Sequence, residues 1–336
     1  MAERRIFGAL PDGRAVEEVT LRGGGLTARV IGWGAVIRDL RFEGRAHPLV
    51  LGFERLEDYL AHSPHFGAIA GRCANRIALG RFTLDGRTHQ LQIKPGTAHH
   101  LHGGVGDAQF GRRPWEIAEV AADSVLLTLD SPDGDAGYPG RVRASCRYAL
   151  RAGALAVTLT ATTDAPTLVN LAHHSYFNLD GFPDVKAHRL EIFADRYTPT
   201  GDDLIPLGDP QPVAGTPFDF RAGRLLGAPD APPLYDVNFC LADARAPQPR
   251  PAARLTGATG LAMEVETTEP GLQFFNAPAM NIPVPGLEGR RYGPSAGLCL
   301  EPQVWPDAIN RPGWPSPVLR PGETYRQSSV FRFAET

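Results

Sequence analysis

Four short stretches concentrate the side chains able to move protons or grip a polar ligand. In Gly71-Arg72-Cys73-Ala74-Asn75-Arg76-Ile77, Asn75 offers donors and an acceptor, and Arg76 offers a fork of donors. Both suit a polyhydroxylated ligand or a carboxylate; both equally suit turn capping and surface ion pairs. In His99-His100-Leu101-His102-Gly103-Gly104, an extended backbone puts His100 and His102 on one face. That spacing chelates a metal if a third ligand joins it, whereas exposed or core imidazoles would leave the same letters. The glycine pair lets another group approach the backbone closely. In Asn170-Leu171-Ala172-His173-His174-Ser175-Tyr176-Phe177-Asn178-Leu179, alternation sends His173 and His174 to opposite faces, and an imidazole buried there needs partners. In Gly297-Leu298-Cys299-Leu300-Glu301-Pro302, Leu298 and Leu300 share one face, Cys299 and Glu301 the other. A carboxylate that closes an apolar strand ahead of a proline is badly placed for an ordinary surface role, and buried carboxylates are usually paired. Asp236 in YDVNF and Gln273 in GLQFF are singletons, for which loop capping or a solvated strand is the plain alternative.

The elements that must carry these groups read as strands. Strand-like runs fall at 26–37, 87–93, 124–129, 141–150, 154–163, 167–179, 188–193, 261–267, 272–275, 297–301 and 328–333. Between 154 and 163, Leu155, Val157, Leu159 and Ala161 recur with period two. The separators carry turn chemistry, as in Pro132-Asp133-Gly134, Tyr138-Pro139-Gly140, Arg151-Ala152-Gly153 and Arg320-Pro321-Gly322. Only 54–62 reads as a helix, with Leu56, Tyr59 and Leu60 at helical spacing. Many short strands with few helices predict an all-β antiparallel sandwich or barrel. The Ala/Pro-rich stretch 242–251 reads as a loop between strands rather than a linker, so residues 1–336 are expected to form one unit.

Composition narrows the chemistry. The chain has 336 residues, 43% hydrophobic and 21% charged, enough to bury a large core. With 37 Gly and 31 Pro it is rich in turns. A net charge of -3 argues against nucleic acid as a partner. Lys94 and Lys186 are the only lysines, which leaves little room for Schiff-base chemistry. Cys73, Cys146, Cys240 and Cys299 are scattered without a C-x-x-C, as in a reducing compartment. No secretory h-region is visible near the N-terminus, and no apolar run reaches the ~18 residues of a spanning helix, so a cytoplasmic protein is expected with no membrane partner. No P-loop, H-E-x-x-H, G-x-S-x-G or helix-opening G-x-G-x-x-G occurs.

Taken together, GRCANRIALGRFTLDG, LHGG, SPDGDAGYPG, HHSYFNLDG, YDVNF, PGLQFF, LEPQVWPDAIN and LRPGETY closely resemble the aldose 1-epimerase family, in order and over most of the chain. The resemblance implies a large antiparallel β-sandwich of the galactose mutarotase-like kind, with a sugar cleft on one face. It implies interconversion of the α and β anomers of free aldoses without a cofactor or metal. On the matching positions, Glu301 is the expected general base, His174 the general acid, and His102 an assistant at the ring oxygen. Asn75, Arg76, Asp236 and Gln273 would hold hydroxyls. Desolvation should raise the pKa of Glu301, and the carboxylates of Asp236 and Glu301 should raise that of His174. Two positions depart from the family: His173, where Asn is common, and Val237, where a polar residue, often His, is common. Two further readings stand beside it: a metal-dependent hydrolase using His100, His102 and His173 or His174, and a non-catalytic sugar-binding module needing Asn75, Arg76 and the tryptophans. No phosphate-binding cluster is visible, because the arginines are dispersed.

Overall fold

Alternation does what it predicts at 154–163. In the computed structural model, which describes residues 3–181 and 183–336, strand Ala154–Thr163 buries Leu155, Val157, Leu159 and Ala161. Its neighbours Val142–Arg151 and Tyr325–Glu335 alternate in the same way. The hairpin between 151 and 154 turns on Ala152 (φ 40°) and Gly153 (φ 77°), the left-handed pair whose twist matches the flanking strands. These strands are the centre of a nine-stranded antiparallel sheet. Its order is Glu116–Val120, Ser124–Ser131, Val142–Arg151, Ala154–Thr163, Tyr325–Glu335, Leu261–Thr267, Arg250–Thr256, Arg189–Ile192 and Arg224–Leu225.

One apolar cluster joins this sheet to two others. It takes Val19, Leu21, Leu26 and Ile37 from a four-stranded sheet (Glu3–Ala9, Ala15–Gly23, Leu26–Ile31, Val36–Phe42). It takes Val237, Phe239, Leu272, Phe274, Leu298 and Leu300 from a six-stranded sheet. That sheet runs Tyr176–Phe177, Leu298–Gln303, Gly271–Phe275, Asp236–Cys240, Arg196–Thr198 and Gln211–Pro212. Because side chains alternate, packing Leu272, Phe274, Leu298 and Leu300 inward turns Gln273, Cys299 and Glu301 to the opposite face. The sandwich thereby builds a polar floor on its own back. Val237 lies on the apolar side, so that departure from the family pattern faces core.

Some expected elements change shape. The run 167–179 divides into Thr167–Leu168, Ala172–His174 and Tyr176–Phe177. Each piece pairs with a different strand: Val318–Leu319, Ala68–Ala70 and Leu298–Gln303 respectively. A segment that exchanges partners twice cannot keep one continuous ladder. The run 26–37 breaks where Gly34 (φ 65°) and Ala35 (φ 49°) turn the chain. The helix is Leu56–His62, starting after Arg55. Strand Glu3–Ala9 escapes the sequence pattern because it is exposed along most of its length and shows no alternation.

A buried hub holds the segment carrying Asn75. Arg72, 1% exposed, donates to Ser131 Oγ (2.6 Å) and to the carbonyls of Gly140 (2.8 Å), Pro132 (3.0 Å) and Pro139 (3.1 Å). Gly103, at φ +88°, lies against the same segment: a Cβ there would sit 1.7 Å from the Gly71 carbonyl oxygen. Gly103→Ala should therefore destabilise the fold by about 2 kcal/mol or more, through backbone strain and overpacking together. Urea unfolding followed by tryptophan fluorescence measures this, and a midpoint equal to wild type would overturn it.

Candidate active site

Strands Gly271–Phe275 and Leu298–Gln303 set Gln273 directly opposite Glu301, and strand Asp236–Cys240 adds Asp236 at the edge of the same floor. Gln273 Nε2 donates to Asp236 Oδ1, and Arg76 Nη1 lies 3.7 Å from Asp236 Oδ2. Asn75 and Arg76 arrive on a turn, with Asn75 at φ 59° and its Oδ1 accepting from the Arg76 amide (2.8 Å). Backbone bonds then tie this turn to His102: the His102 amide donates to the Asn75 carbonyl (3.0 Å), and the Asn75 amide donates to His102 Nδ1 (3.1 Å). Since Nδ1 accepts, a neutral His102 carries its proton on Nε2. Burial, with His65 and His174 adding to it, holds the His102 pKa well below the usual value, so the ring is a neutral donor.

His174 comes from strand Ala172–His174, with Nε2 3.5 Å from Glu301 Oε1 and Nδ1 3.5 Å from Cys299 Sγ. The ring is flanked by two near-parallel rings, Tyr176 (5.2 Å, 22°) and His65 (5.6 Å, 24°). Glu301 is 2% exposed, and its Oε2 is buried with no hydrogen-bond partner. The His174–Glu301 spacing is long for a strong hydrogen bond, so both groups keep bonding capacity for a ligand. Burial raises Glu301 well above the usual carboxylate range; the Asp236 carboxylate adds to the rise, and Arg76 opposes it. Asp236 is itself raised by burial, against Arg76 and the Gln273 amide.

The rise expected for His174 does not occur: burial lowers it to about 4. Desolvation outweighs the neighbouring carboxyls because those groups are pushed toward their neutral forms by the same burial. Burial of both groups favours a neutral acid beside a neutral imidazole.

All seven residues singled out in the sequence line one cavity of about 180 Å³: Glu301, His174, His102, Asn75, Arg76, Asp236 and Gln273. The metal-hydrolase reading loses its basis. Strand His100–Leu101 ends before His102, which sits at φ 48°. Both nitrogens of His100 are engaged, Nδ1 with the Gln92 carbonyl and Nε2 with Tyr138 Oη, each at 2.6 Å. His173 points the other way, to Tyr148 Oη (3.3 Å) and the Phe331 ring (5.7 Å). A different trio, His174, Cys299 and Glu301, has ligand atoms within 4.8 Å of one another. Burial, with Glu301 adding to it, holds the Cys299 thiol well above its usual pKa.

The residue not anticipated was His65. It lines the pocket, stacks on His174 and lies 4.8 Å from the His102 ring. It stands alone in a turn at φ 75°, outside any strand, so no periodicity marks it.

Two acids, three imidazoles, two amides and a guanidinium thus converge on one face of an all-β sandwich. A sequence profile described as Aldose 1-epimerase matches residues 17–332. The galactose mutarotase of Rattus norvegicus is 41% identical, covering 98% of both chains. The aldose 1-epimerase of Escherichia coli (strain K12) is 37% identical, covering 96% of both. Among solved structures, an aldose epimerase homologue from C. elegans superposes with a TM-score of 0.87 at 29% identity, covering 95% of this chain and 99% of that one. The chain belongs to the aldose 1-epimerase family.

The opposed directions of the paired histidines are testable. His174→Asn should lower kcat for anomer exchange by about 10²-fold or more, as for loss of one acid–base group. His173→Asn, buried on the far side, should leave kcat within a few-fold. Polarimetry on a shared substrate, with circular dichroism as the fold check, compares the two. The reverse ranking would overturn the assignment.

Proposed function

We propose that the protein is a mutarotase, interconverting the α and β anomers of free aldoses such as galactose or glucose by opening and reclosing the pyranose ring. The observation that carries this reading is the 3.5 Å spacing of His174 Nε2 and Glu301 Oε1 in a buried pocket. Ring opening takes a proton from the C1 hydroxyl and gives one to the ring oxygen. Both oxygens are bonded to the same carbon, so the base and the acid must stand close together.

In the proposed mechanism the carboxylate of Glu301 takes the hydroxyl proton, and the imidazolium of His174 donates through Nε2 to the ring oxygen. The Nε2–H of His102 assists at that oxygen. Cys299 Sγ beside His174 Nδ1 leaves Nε2 as the exchanging nitrogen. Asn75, Arg76, Asp236 and Gln273 hold the hydroxyls. After opening, Glu301 is a neutral acid and His174 a neutral base. Burial favours this same neutral pair before the reaction as well, so the opening step starts from the less favoured ion-pair form of Glu301 and His174. The aldehyde then rotates about C1–C2 and closes on its other face, with the two proton transfers reversed. Each positioned transfer is worth about 10²–10⁴-fold.

Four buried free cysteines support a reducing compartment, for which we propose the cytoplasm. Among the described residues no helix is long and apolar enough to cross a membrane.

Glu301→Gln keeps shape and hydrogen bonding but cannot take a proton. It should lower kcat by about 10²-fold or more while the sugar still binds. Polarimetry of freshly dissolved α-galactose, together with calorimetric binding, tests this. Retention of about a tenth of the rate or more would remove Glu301 from the role.

The pH profile has a stated shape. The pair works while it shares one proton. A second enters as pH falls through the His174 value of about 4, leaving no base, so activity is lost on that side. The shared proton leaves as pH rises through the raised Glu301 value, leaving no acid. Between these limits kcat/KM is flat once spontaneous exchange is subtracted. A profile that shows only one of these two losses would contradict the mechanism.

A further inference from the structure

The pocket around Glu301 and His174 adjoins a larger cavity of about 500 Å³, and His65, Arg76 and Leu101 line both. The smaller space, about 180 Å³, suits one sugar ring. A substituent leaving that ring past His65 enters the larger one. Arginines dispersed in the sequence converge here: Arg76 and Arg112 face the larger cavity together with Lys94.

The acids available do not balance them. Asp203, the carboxylate of this cavity, is engaged by His99 Nε2 (3.2 Å) and by the Ile205 amide (3.2 Å). Arg76 has Asp236. Arg112 is half-buried, donates through Nη2 to the Ser63 carbonyl (3.1 Å), and pairs with no carboxylate among the described residues. Burial lowers its pKa, and no acid acts to restore it. The neighbouring His65 is neutral, its pKa lowered to about 3 chiefly by burial. The N–H groups of Arg112 not used on Ser63 form the fork that binds anionic oxygens.

We infer that the larger cavity is a subsite for an anionic substituent on the aldose, a carboxylate or a phosphate ester, with Arg112 as its main ligand and Lys94 as a second charge. This rests on the mutarotase reading and extends its substrate class to acidic sugars.

The test compares anomer exchange of galactose, galacturonate and galactose 6-phosphate by the full chain, followed by NMR exchange or polarimetry. At least one acidic sugar should match or exceed galactose in kcat/KM, and which one does so separates carboxylate from phosphate. Arg112→Gln should lower that value about tenfold or more and leave galactose within about twofold, while Arg112→Lys, which keeps the charge, retains most of it. Added salt should weaken the acidic sugar's kcat/KM and spare that of galactose. The subsite is overturned if galactose is turned over and both acids are more than about tenfold poorer, or if Arg112→Gln lowers all three alike. Failure on every sugar would instead remove the mutarotase reading, and the subsite with it.

Discussion

The site depends on the register between strands Gly271–Phe275 and Leu298–Gln303. Gln273 faces Glu301 across that ladder, and Phe274 faces Leu300 on the other side of the sheet. A slip of one residue in Leu298–Gln303 would turn Leu298 and Leu300 into the cleft and drive Glu301 among Phe274 and Leu272. The apolar core forbids this, because an unpaired carboxyl there would lose its hydration and gain nothing. The hydrophobic contacts that stabilise the sandwich therefore also aim the polar groups. The floor of the pocket is rigid for the same reason: its other face is packed core.

Burial alone does not decide what a carboxyl does; its partners decide. Glu18 and Glu301 are 1% and 2% exposed. Glu18 receives Arg38 and, at 2.6 Å, Arg5, and despite the desolvation it is held below the usual carboxylate range. Glu301 receives no arginine; the charges that act on it are another acid, Asp236, which raises it, and Arg76, which opposes the rise. One glutamate is held as an ion by its arginines, while burial pushes the other toward its neutral form. Asp236 lies between these cases, raised by burial yet gripped by Gln273 and Arg76.

What the sequence revealed follows the same physics. Period-two alternation placed the faces of 154–163, of 298–301 and of the two adjacent histidines, because each lies on strands with one side in core. It failed at 167–179, where apolar composition persists while the chain changes partner twice. The His100–His102 pairing was misread because two residues of spacing imply a shared face only while the backbone stays extended, and it bends at His102. The direction of the His174 shift was also missed, since it depends on how completely the surrounding rings exclude water. His65 left no trace, being a single residue on a turn. Without the resemblance, Asn75, Arg76, Asp236 and Gln273 were indistinguishable from capping and surface groups; only the fold gathers them.

Arg72 spends its guanidinium on carbonyls of residues 132, 139 and 140 and on the hydroxyl of Ser131, some sixty residues away in the chain. Tyr138, on the same loop, reaches His100 beside the His102 turn. The loop and the Asn75 turn are thus fastened at two points to each other. Neither opens without exposing the other's donors or acceptors, so the two form one cooperative unit whose amides share a single opening event. A region that looks like surface loop in its glycine and proline content should therefore exchange with solvent as slowly as part of the interior.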